Sequence, residues 1–213
     1  MESWTLLPPS TPRGGARVGY LTYYYERGQE PFRSLSALSD SEAIRIMERL
    51  YVRHPGNILF ERFRDPAQYL NTRRQTEQWV RAAFIAKGGR PQQAFPISMV
   101  LGSSRWIEEH APDPASHAEL RIPLSSLAES DVSFTYPDSM VSLWLHRDKP
   151  IDYYLPEYHG KVFTIPEILA IVEANGLPEE WTTALPSHVG RYIEAQVWNR
   201  QPLLEYGRPL RER

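Results

Sequence analysis

Residues 95–139 read FPISMVLGSSRWIEEHAPDPASHAELRIPLSSLAESDVSFTYPDS, and this stretch decides the fold. Within it, residues 97–101 form a short apolar run typical of a buried strand, and residues 105–110 continue as a short helical segment. Apolar and polar residues alternate over residues 120–124, and residues 132–136 form a third apolar and aromatic segment that ends at a proline turn. Because alternation with a period of two is typical of half-buried strands, we expect these segments to share one sheet.

The segments on either side of this stretch supply the main helices and three further strands, one of them a short strand at residues 161–164. β-Branched and aromatic residues dominate residues 17–25, which predicts a strand there. Ser39, Asp65 and Thr164 each stand before an apolar pattern with helical spacing, so each is expected to cap a helix. Alternation over residues 191–198 predicts a final strand near the end of the chain.

The order of these elements favours an α+β fold, because strands and helices neither alternate strictly nor separate into two blocks. We expect a single domain over residues 17–200, with a mixed, mostly antiparallel sheet, continuous or split, and about three main helices. Residues 1–16 are rich in proline and glycine and predict an irregular N-terminal arm. Residues 201–213 predict a polar C-terminal tail.

Composition excludes several classes of protein. A formal net charge of −2 means that the molecule carries no basic field, so nucleic-acid binding would have to come from a local patch. The absence of cysteine excludes thiol catalysis, iron–sulfur clusters, thiolate zinc sites and disulfides. No apolar run is long enough to span a bilayer and the N-terminus lacks the apolar core of a signal peptide, so we expect a cytoplasmic protein with no membrane partner.

The sequence contains no diagnostic catalytic motif. It lacks a Walker-type phosphate loop, a GxGxxG dinucleotide fingerprint, a GxSxG nucleophile elbow and an HExxH zinc motif. The 6 histidines are scattered, and the separation between His110 and His117 does not fix a metal geometry. We therefore expect no metal site.

A turn rich in serine follows the strand at residues 97–101. Ser103, Ser104 and Arg105 stand where a strand gives way to a helix, so their backbone N–H groups and the guanidinium could cradle an anion. The alternative is a serine N-cap beside a solvated arginine, because serine is a favoured cap residue.

The final predicted strand carries polar groups on one face. Glu194 and Gln196 share this face with Tyr192 and Trp198, whereas the intervening residues are apolar. A partly buried carboxylate needs something to pair with it, which makes Glu194 a candidate functional group. The alternative is an edge strand whose polar face meets water.

Two further features join the candidate site. Tyr136, Asp138 and Ser139 form a polar turn directly after an apolar strand, where loops often carry function, although an ordinary proline turn would have the same sequence. The tyrosines at residues 20 and 23–25, with Tyr23 as the candidate, could stack on a base or a nicotinamide ring, or they could pack in the core and at its rim.

Pairs of arginines give local positive charge along the predicted helices. Each pair has acidic residues nearby, so we expect solvated helix faces and surface ion pairs. The pairs are Arg45 with Arg49, Arg62 with Arg64, and Arg73 with Arg74.

The order of parts resembles the bacterial DNA-targeting toxins of the ADP-ribosyltransferase superfamily. Residues 193–197 resemble the family's terminal strand with its glutamate, residues 103–105 its serine-and-arginine turn, and residues 134–138 the loop between them. The resemblance implies NAD as the cofactor. The family's first strand opens with a His or Arg that holds the ribose of the cofactor, whereas residues 20–25 contain neither.

The resemblance also implies a role for each candidate residue. Glu194 would stabilise the cation formed when the nicotinamide–ribose bond breaks. Arg105, with Ser103 and Ser104, would neutralise the pyrophosphate, a tyrosine such as Tyr23 would stack on nicotinamide, and Gln196 would contact the cofactor. We thus expect an NAD-dependent ADP-ribosyltransferase-like protein that acts on a macromolecular acceptor. The alternative is a non-catalytic interaction or ligand-binding module.

Overall fold

The computed structural model describes residues 18–113, 116–149, 153–181 and 189–207, except for the side chains of residues 180 and 181. The expected N-terminal arm therefore lies outside the described residues. Five strands form one sheet in the order β3-β1-β2-β5-β4, and every pairing is antiparallel. The strands are β1 (Tyr20–Glu26), β2 (Ile97–Leu101), β3 (His117–Pro123), β4 (Val132–Thr135) and β5 (Glu194–Val197).

Helices account for most of the remaining described structure. The long ones begin at side-chain caps, since Ser39 and Asp65 accept hydrogen bonds from backbone N–H groups of the first turn, and Thr164 forms a capping box with Glu167. The helices are α1 (Asp40–Arg53), α2 (Ile58–Glu61), α3 (Pro66–Ala86), α4 (Arg105–His110), α5 (Ser139–Asp148), α6 (Ile165–Asn175) and α7 (Pro178–Trp181). The α+β prediction is confirmed, and the sheet is neither mixed nor split.

The strand register gives the sheet one apolar and one polar face. The apolar face packs into the main core, to which α6 contributes Ile165 and Ile168. Its side chains include Leu21, Met99, Leu101, Ile122, Phe134 and Ala195. The polar face lies towards α3, and its side chains include Thr22, Ser98, Ser133, Thr135, Glu194 and Gln196. The predicted separation of polar and apolar residues on β5 is confirmed.

Several elements differ from the sequence expectation. Residues 139–148 form a full helix because Asp138 caps it, whereas we had expected Asp138 and Ser139 to lie in a polar turn. A strand was expected at residues 161–164, but only Phe163 pairs with the sheet, through one antiparallel bridge to Phe134. Residues 201–205 form a 3-10 helix with Leu203 fully buried, so the domain continues beyond residue 200.

Among the described residues, no helix combines the length and the apolar character that a bilayer crossing requires.

Candidate functional site

Glu194 lies in the interior of the sheet and is only 7% exposed. Its strand, β5, is hydrogen-bonded to β2 on one side and to β4 on the other, opposite Val100 and Thr135. The alternative of a water-facing edge strand is therefore wrong. A carboxylate at such a depth needs local stabilisation, because burial without a partner is costly.

The N-terminus of α5 supplies this stabilisation. The backbone N–H of Ser139 donates a hydrogen bond to Oε2 of Glu194 at 2.6 Å. The next two N–H groups, from Met140 and Val141, donate to Oδ1 of Asp138, each at 3.0 Å. The first turn of one helix thus holds two carboxylates, which its partial positive charge favours.

An ion pair on α3, between the half-buried Arg73 and the buried Glu77, lies under the same face of the sheet. Arg73 Nε and Glu77 Oε1 are 2.9 Å apart, and Glu77 is 2% exposed. The guanidinium also donates hydrogen bonds to the hydroxyls of Ser36, Tyr69 and Ser98. Arg73 therefore ties α3 to strand β2.

Arg62 and Tyr192 complete the group at its outer rim. Arg62 is exposed, and its Nε donates to the Leu59 carbonyl at 2.7 Å. Tyr192 is half-buried and its ring lies 6.0 Å from that of Trp106. We call the whole set the Glu194 cluster. Its members are Arg62, Tyr69, Arg73, Glu77, Asp138, Tyr192 and Glu194.

The members of the Glu194 cluster change one another's acidity. Burial, and then repulsion from Glu194, raise the pKa of the Asp138 carboxyl, although Arg62 and two backbone hydrogen bonds oppose this rise. Burial also raises the pKa of Glu77 against the attraction of Arg73. Burial would lower the pKa of Arg73, but Glu77, Tyr69 and Glu194 raise it above the usual arginine value. Strongly perturbed groups that interact in this way are typical of functional sites.

Glu194 and Asp138 form no ion pair within the described ranges, whereas Glu77 is paired with Arg73. Electrostatic attraction also links Glu194 to Arg73 and Asp138 to Arg62. The Oε1 atom of Glu194 accepts no hydrogen bond from any described residue. The site therefore presents excess negative charge, which suits a positively charged ligand or transition state.

Gln196, which we expected to contact a cofactor, forms hydrogen bonds inside the protein with both polar atoms of its side chain. Its Oε1 accepts a hydrogen bond from Ser133, and its Nε2 donates to the hydroxyl of Thr135, both at 2.9 Å. Ser133 also accepts the indole N–H of Trp198 at 2.9 Å. Gln196 is 1% exposed, so it supports the sheet beneath Glu194 and leaves no group for a ligand.

The structure does not bring the serine-and-arginine turn to Glu194. Ser104 caps α4 by accepting from the N–H of Ile107, and its own N–H donates to the hydroxyl of Tyr24. Ser103 precedes this cap. The Arg105 side chain is 79% exposed and reaches Glu109 at 3.8 Å, and among the described residues no hydrogen bond or ion pair joins it to Glu194. The alternative of a serine N-cap beside a solvated arginine describes this turn.

Two aromatic candidates also lie away from Glu194. Tyr23 faces the apolar side of the sheet, where its ring packs 4.9 Å from Phe32. Because Glu194 faces the other side, Tyr23 cannot stack on a ligand held there. Tyr136 is 1% exposed and packs in the same apolar core. Of the predicted loop, Asp138 and Ser139 reach Glu194.

Sequence reasoning missed five members of the Glu194 cluster. We had expected solvated helix faces and ion pairs at these arginines, and Arg62 is exposed while Arg73 forms an ion pair with Glu77. However, Arg73 is half-buried at the sheet, and Arg62 interacts with Asp138 and Tyr192. A signal for the pair was present, because Arg73 and Glu77 continue the apolar stripe of α3 between Tyr69 and Val80 at helical spacing. Missed members were Arg62, Tyr69, Arg73, Glu77 and Tyr192.

Two shallow surface grooves lie elsewhere. One is lined by Tyr24, Arg27, Glu108 and His117, among others, and the second lies around Lys87 and neighbouring residues. Neither groove includes a member of the Glu194 cluster. We favour the cluster as the candidate site, because charged groups with shifted pKa values indicate a functional site more directly than a shallow groove does.

Comparisons with other proteins leave the candidate site to be judged from its own geometry. The chain matches no protein-family model, no curated protein and no solved structure. Within the described ranges, no three His, Asp or Glu side chains are grouped so that they could hold a metal ion. What the site can do therefore follows from its carboxylates, guanidiniums and tyrosines.

Proposed function

We propose that the protein cleaves the bond between ribose and nicotinamide in NAD and transfers ADP-ribose to a macromolecular acceptor. The observation that carries this proposal is the Glu194 carboxylate, which is buried, held by the Ser139 N–H at 2.6 Å, and in no ion pair with any residue that the structure describes. Breaking this bond builds positive charge on the ribose. A fixed carboxylate stabilises that charge without having to reorganise.

The rest of the cluster fits this chemistry. Arg62 supplies the guanidinium at the exposed rim of the cluster. It therefore has the role that the sequence had suggested for Arg105, which is to bind the phosphates of NAD. Tyr192, which is half-buried beside Trp106, offers the aromatic surface that Tyr23 cannot. Arg73 and Glu77 hold α3 against the sheet and so keep Glu194 in place.

The experiment is to incubate the purified protein with NAD and measure free nicotinamide, together with ADP-ribose attached to added DNA or protein. The proposal expects nicotinamide to accumulate and NAD to raise the melting temperature. A ligand at ~100 times its dissociation constant stabilises the native state by ~2.7 kcal/mol. If no nicotinamide is released and NAD does not raise the melting temperature, the proposal is contradicted.

A non-catalytic binding or interaction module is the second candidate. The observation that favours it is that Gln196 and Arg73 form hydrogen bonds with other residues of the protein. These bonds stabilise the fold whether or not a ligand binds. Such a module predicts that nicotinamide is never released. Replacing Glu194 would then change neither NAD consumption nor any other reaction.

A further inference from the structure

Asp138 presents a second carboxylate to the same site. Its Oδ1 atom is occupied by the N–H groups of Met140 and Val141. Its Oδ2 atom receives no hydrogen bond from any described residue, and Asp138 is half-buried rather than buried. Glu194 has the same arrangement, with Oε2 bound to the Ser139 N–H and Oε1 not hydrogen-bonded within the described ranges. One end of α5 therefore fixes both carboxylates and leaves one oxygen of each for chemistry.

We propose that Asp138 is the catalytic base that removes the proton from the attacking acceptor, an inference that rests on the ribosyl transfer proposed above. The acceptor oxygen or nitrogen bonds to C1′ of the ribosyl cation that is left beside Glu194 once the bond from C1′ to nicotinamide has broken. The electron pair of that bond goes to the ring nitrogen, so nicotinamide leaves as a neutral molecule without taking a proton. The proton of the acceptor passes to Oδ2 of Asp138, which balances the reaction.

Asp138 suits this role better than the other titratable members of the cluster. Glu77 is 2% exposed and is paired with Arg73 at 2.9 Å, so an acceptor cannot reach it. The pKa of Tyr192 lies well above the usual tyrosine value because of burial and of the charge on Asp138, so its hydroxyl keeps its proton. Glu194 is needed next to the ribosyl cation. Asp138 is the half-buried carboxylate that remains.

The surroundings of Asp138 make it a better base than a free aspartate. The groups facing it are Glu194 on β5, Arg62 after α2, Tyr192 before β5 and the N–H groups of α5. Burial and Glu194 raise its pKa, and Arg62 and the N–H groups only partly offset them. A base works best when its pKa lies near the working pH, so a rise above the usual aspartate value favours proton transfer.

The test compares two reactions of NAD in the wild type, Asp138→Asn and Glu194→Gln. The first is hydrolysis, in which water is the acceptor and must lose a proton. The second is exchange of labelled nicotinamide into NAD, in which the attacking ring nitrogen carries no proton and needs no base. Asparagine is a good N-cap, so Asp138→Asn keeps the cap of α5. Asp65→Asn makes the same exchange at the cap of α3 and serves as the control.

We expect Asp138→Asn to lose hydrolysis by about 100-fold or more, the usual contribution of a general base, and to keep exchange within about 3-fold of the wild type. Glu194→Gln loses both reactions, and Asp65→Asn loses neither. If Asp138→Asn keeps hydrolysis, or loses exchange in parallel with it, the inference for Asp138 is overturned while ribosyl transfer stands. A wild type that catalyses neither reaction overturns the proposed function and the inference together.

Discussion

Asp138 and Glu194 share the N-terminus of α5, where three consecutive backbone N–H groups hold one oxygen of each carboxylate. The two residues come from different parts of the chain, the loop after β4 and the strand β5. Their shared helix end explains how two negative groups remain close together inside the protein. Their mutual repulsion also contributes to the raised pKa of Asp138.

Replacing Arg73 by methionine should strongly destabilise the fold. The guanidinium joins α3 to Ser98 and compensates Glu77, which would remain buried without a cation. Removing one partner of a buried ion pair typically costs about 3–5 kcal/mol. Urea denaturation of Arg73→Met should therefore show a loss of this size in the free energy of unfolding.

A double variant at the ion pair and a control variant at the surface complete this test. Arg73→Met combined with Glu77→Leu should recover much of the loss, because the buried charge of Glu77 is then removed together with its partner. Arg105→Met should change stability by less than about 0.5 kcal/mol, because that side chain is 79% exposed. A single Arg73 variant as stable as the Arg105 variant would show that the buried pair does not hold α3 to the sheet.

Ser133 is the centre of the hydrogen-bond chain beneath Glu194. Ser133→Ala would leave the Trp198 indole N–H and the Gln196 carbonyl without their partner, in a region where all three residues are at most 1% exposed. Each unsatisfied buried group costs about 1–3 kcal/mol, so for the two groups we expect chemical denaturation to show a loss of about 2–6 kcal/mol. Ser126→Ala removes an exposed hydroxyl bound to the Pro123 carbonyl and should cost well under 1 kcal/mol. Equal losses for the two variants would refute the buried chain.

His159 should make stability depend on pH in the mildly acidic range. The side chain is 1% exposed, and burial lowers its pKa from 6.5 to about 4. The unfolded chain therefore binds more protons than the folded one between these values. The stabilisation is complete above about pH 6.5 and is lost as the pH falls towards 4, with a total of about 3 kcal/mol.

A variant isolates this contribution. His159→Gln removes the titrating ring, so the wild-type free energy of unfolding should fall more steeply than that of the variant between pH 6.5 and pH 4. The difference between the two curves also cancels the carboxylates of the Glu194 cluster, which are common to both proteins. His117→Gln on β3 is the control for replacing a histidine that is only half-buried. Parallel wild-type and His159→Gln curves would contradict a buried neutral imidazole.

The sequence predicted most of the fold because its local signals are strong. Cap residues Ser39 and Asp65 stand before apolar stripes with helical spacing, and β5 alternates cleanly between polar and apolar residues. The start of α5 was missed because Asp138 after a proline suits a turn as well as an N-cap. Such ambiguity is resolved only by what packs against the segment.

The candidate site was predicted only in part, because its charges meet through tertiary packing. Glu194 and Asp138 were visible as polar groups beside apolar strands. The sequence could not show that Arg73, from a helix, interacts with Glu194 while Arg105 stays exposed, because both arginines look solvated in isolation. It also could not show that Tyr23 faces the other side of the sheet, since that depends on register.

The most direct test of the account replaces the Glu194 carboxylate by its uncharged isostere. Glu194→Gln keeps a carbonyl oxygen that can accept the Ser139 N–H, so the fold and the melting temperature should stay close to those of the wild type. Glu109→Gln removes a carboxylate whose side chain is 62% exposed and serves as the control.

The measurement is the rate of nicotinamide release from NAD by the wild type, Glu194→Gln and Glu109→Gln at one protein concentration. We expect release by the wild type and by Glu109→Gln, and a rate about 100-fold to 1,000-fold lower for Glu194→Gln, the range typical of losing one fixed electrostatic group. A folded Glu194→Gln protein that releases nicotinamide as fast as the wild type would contradict the central role of this carboxylate.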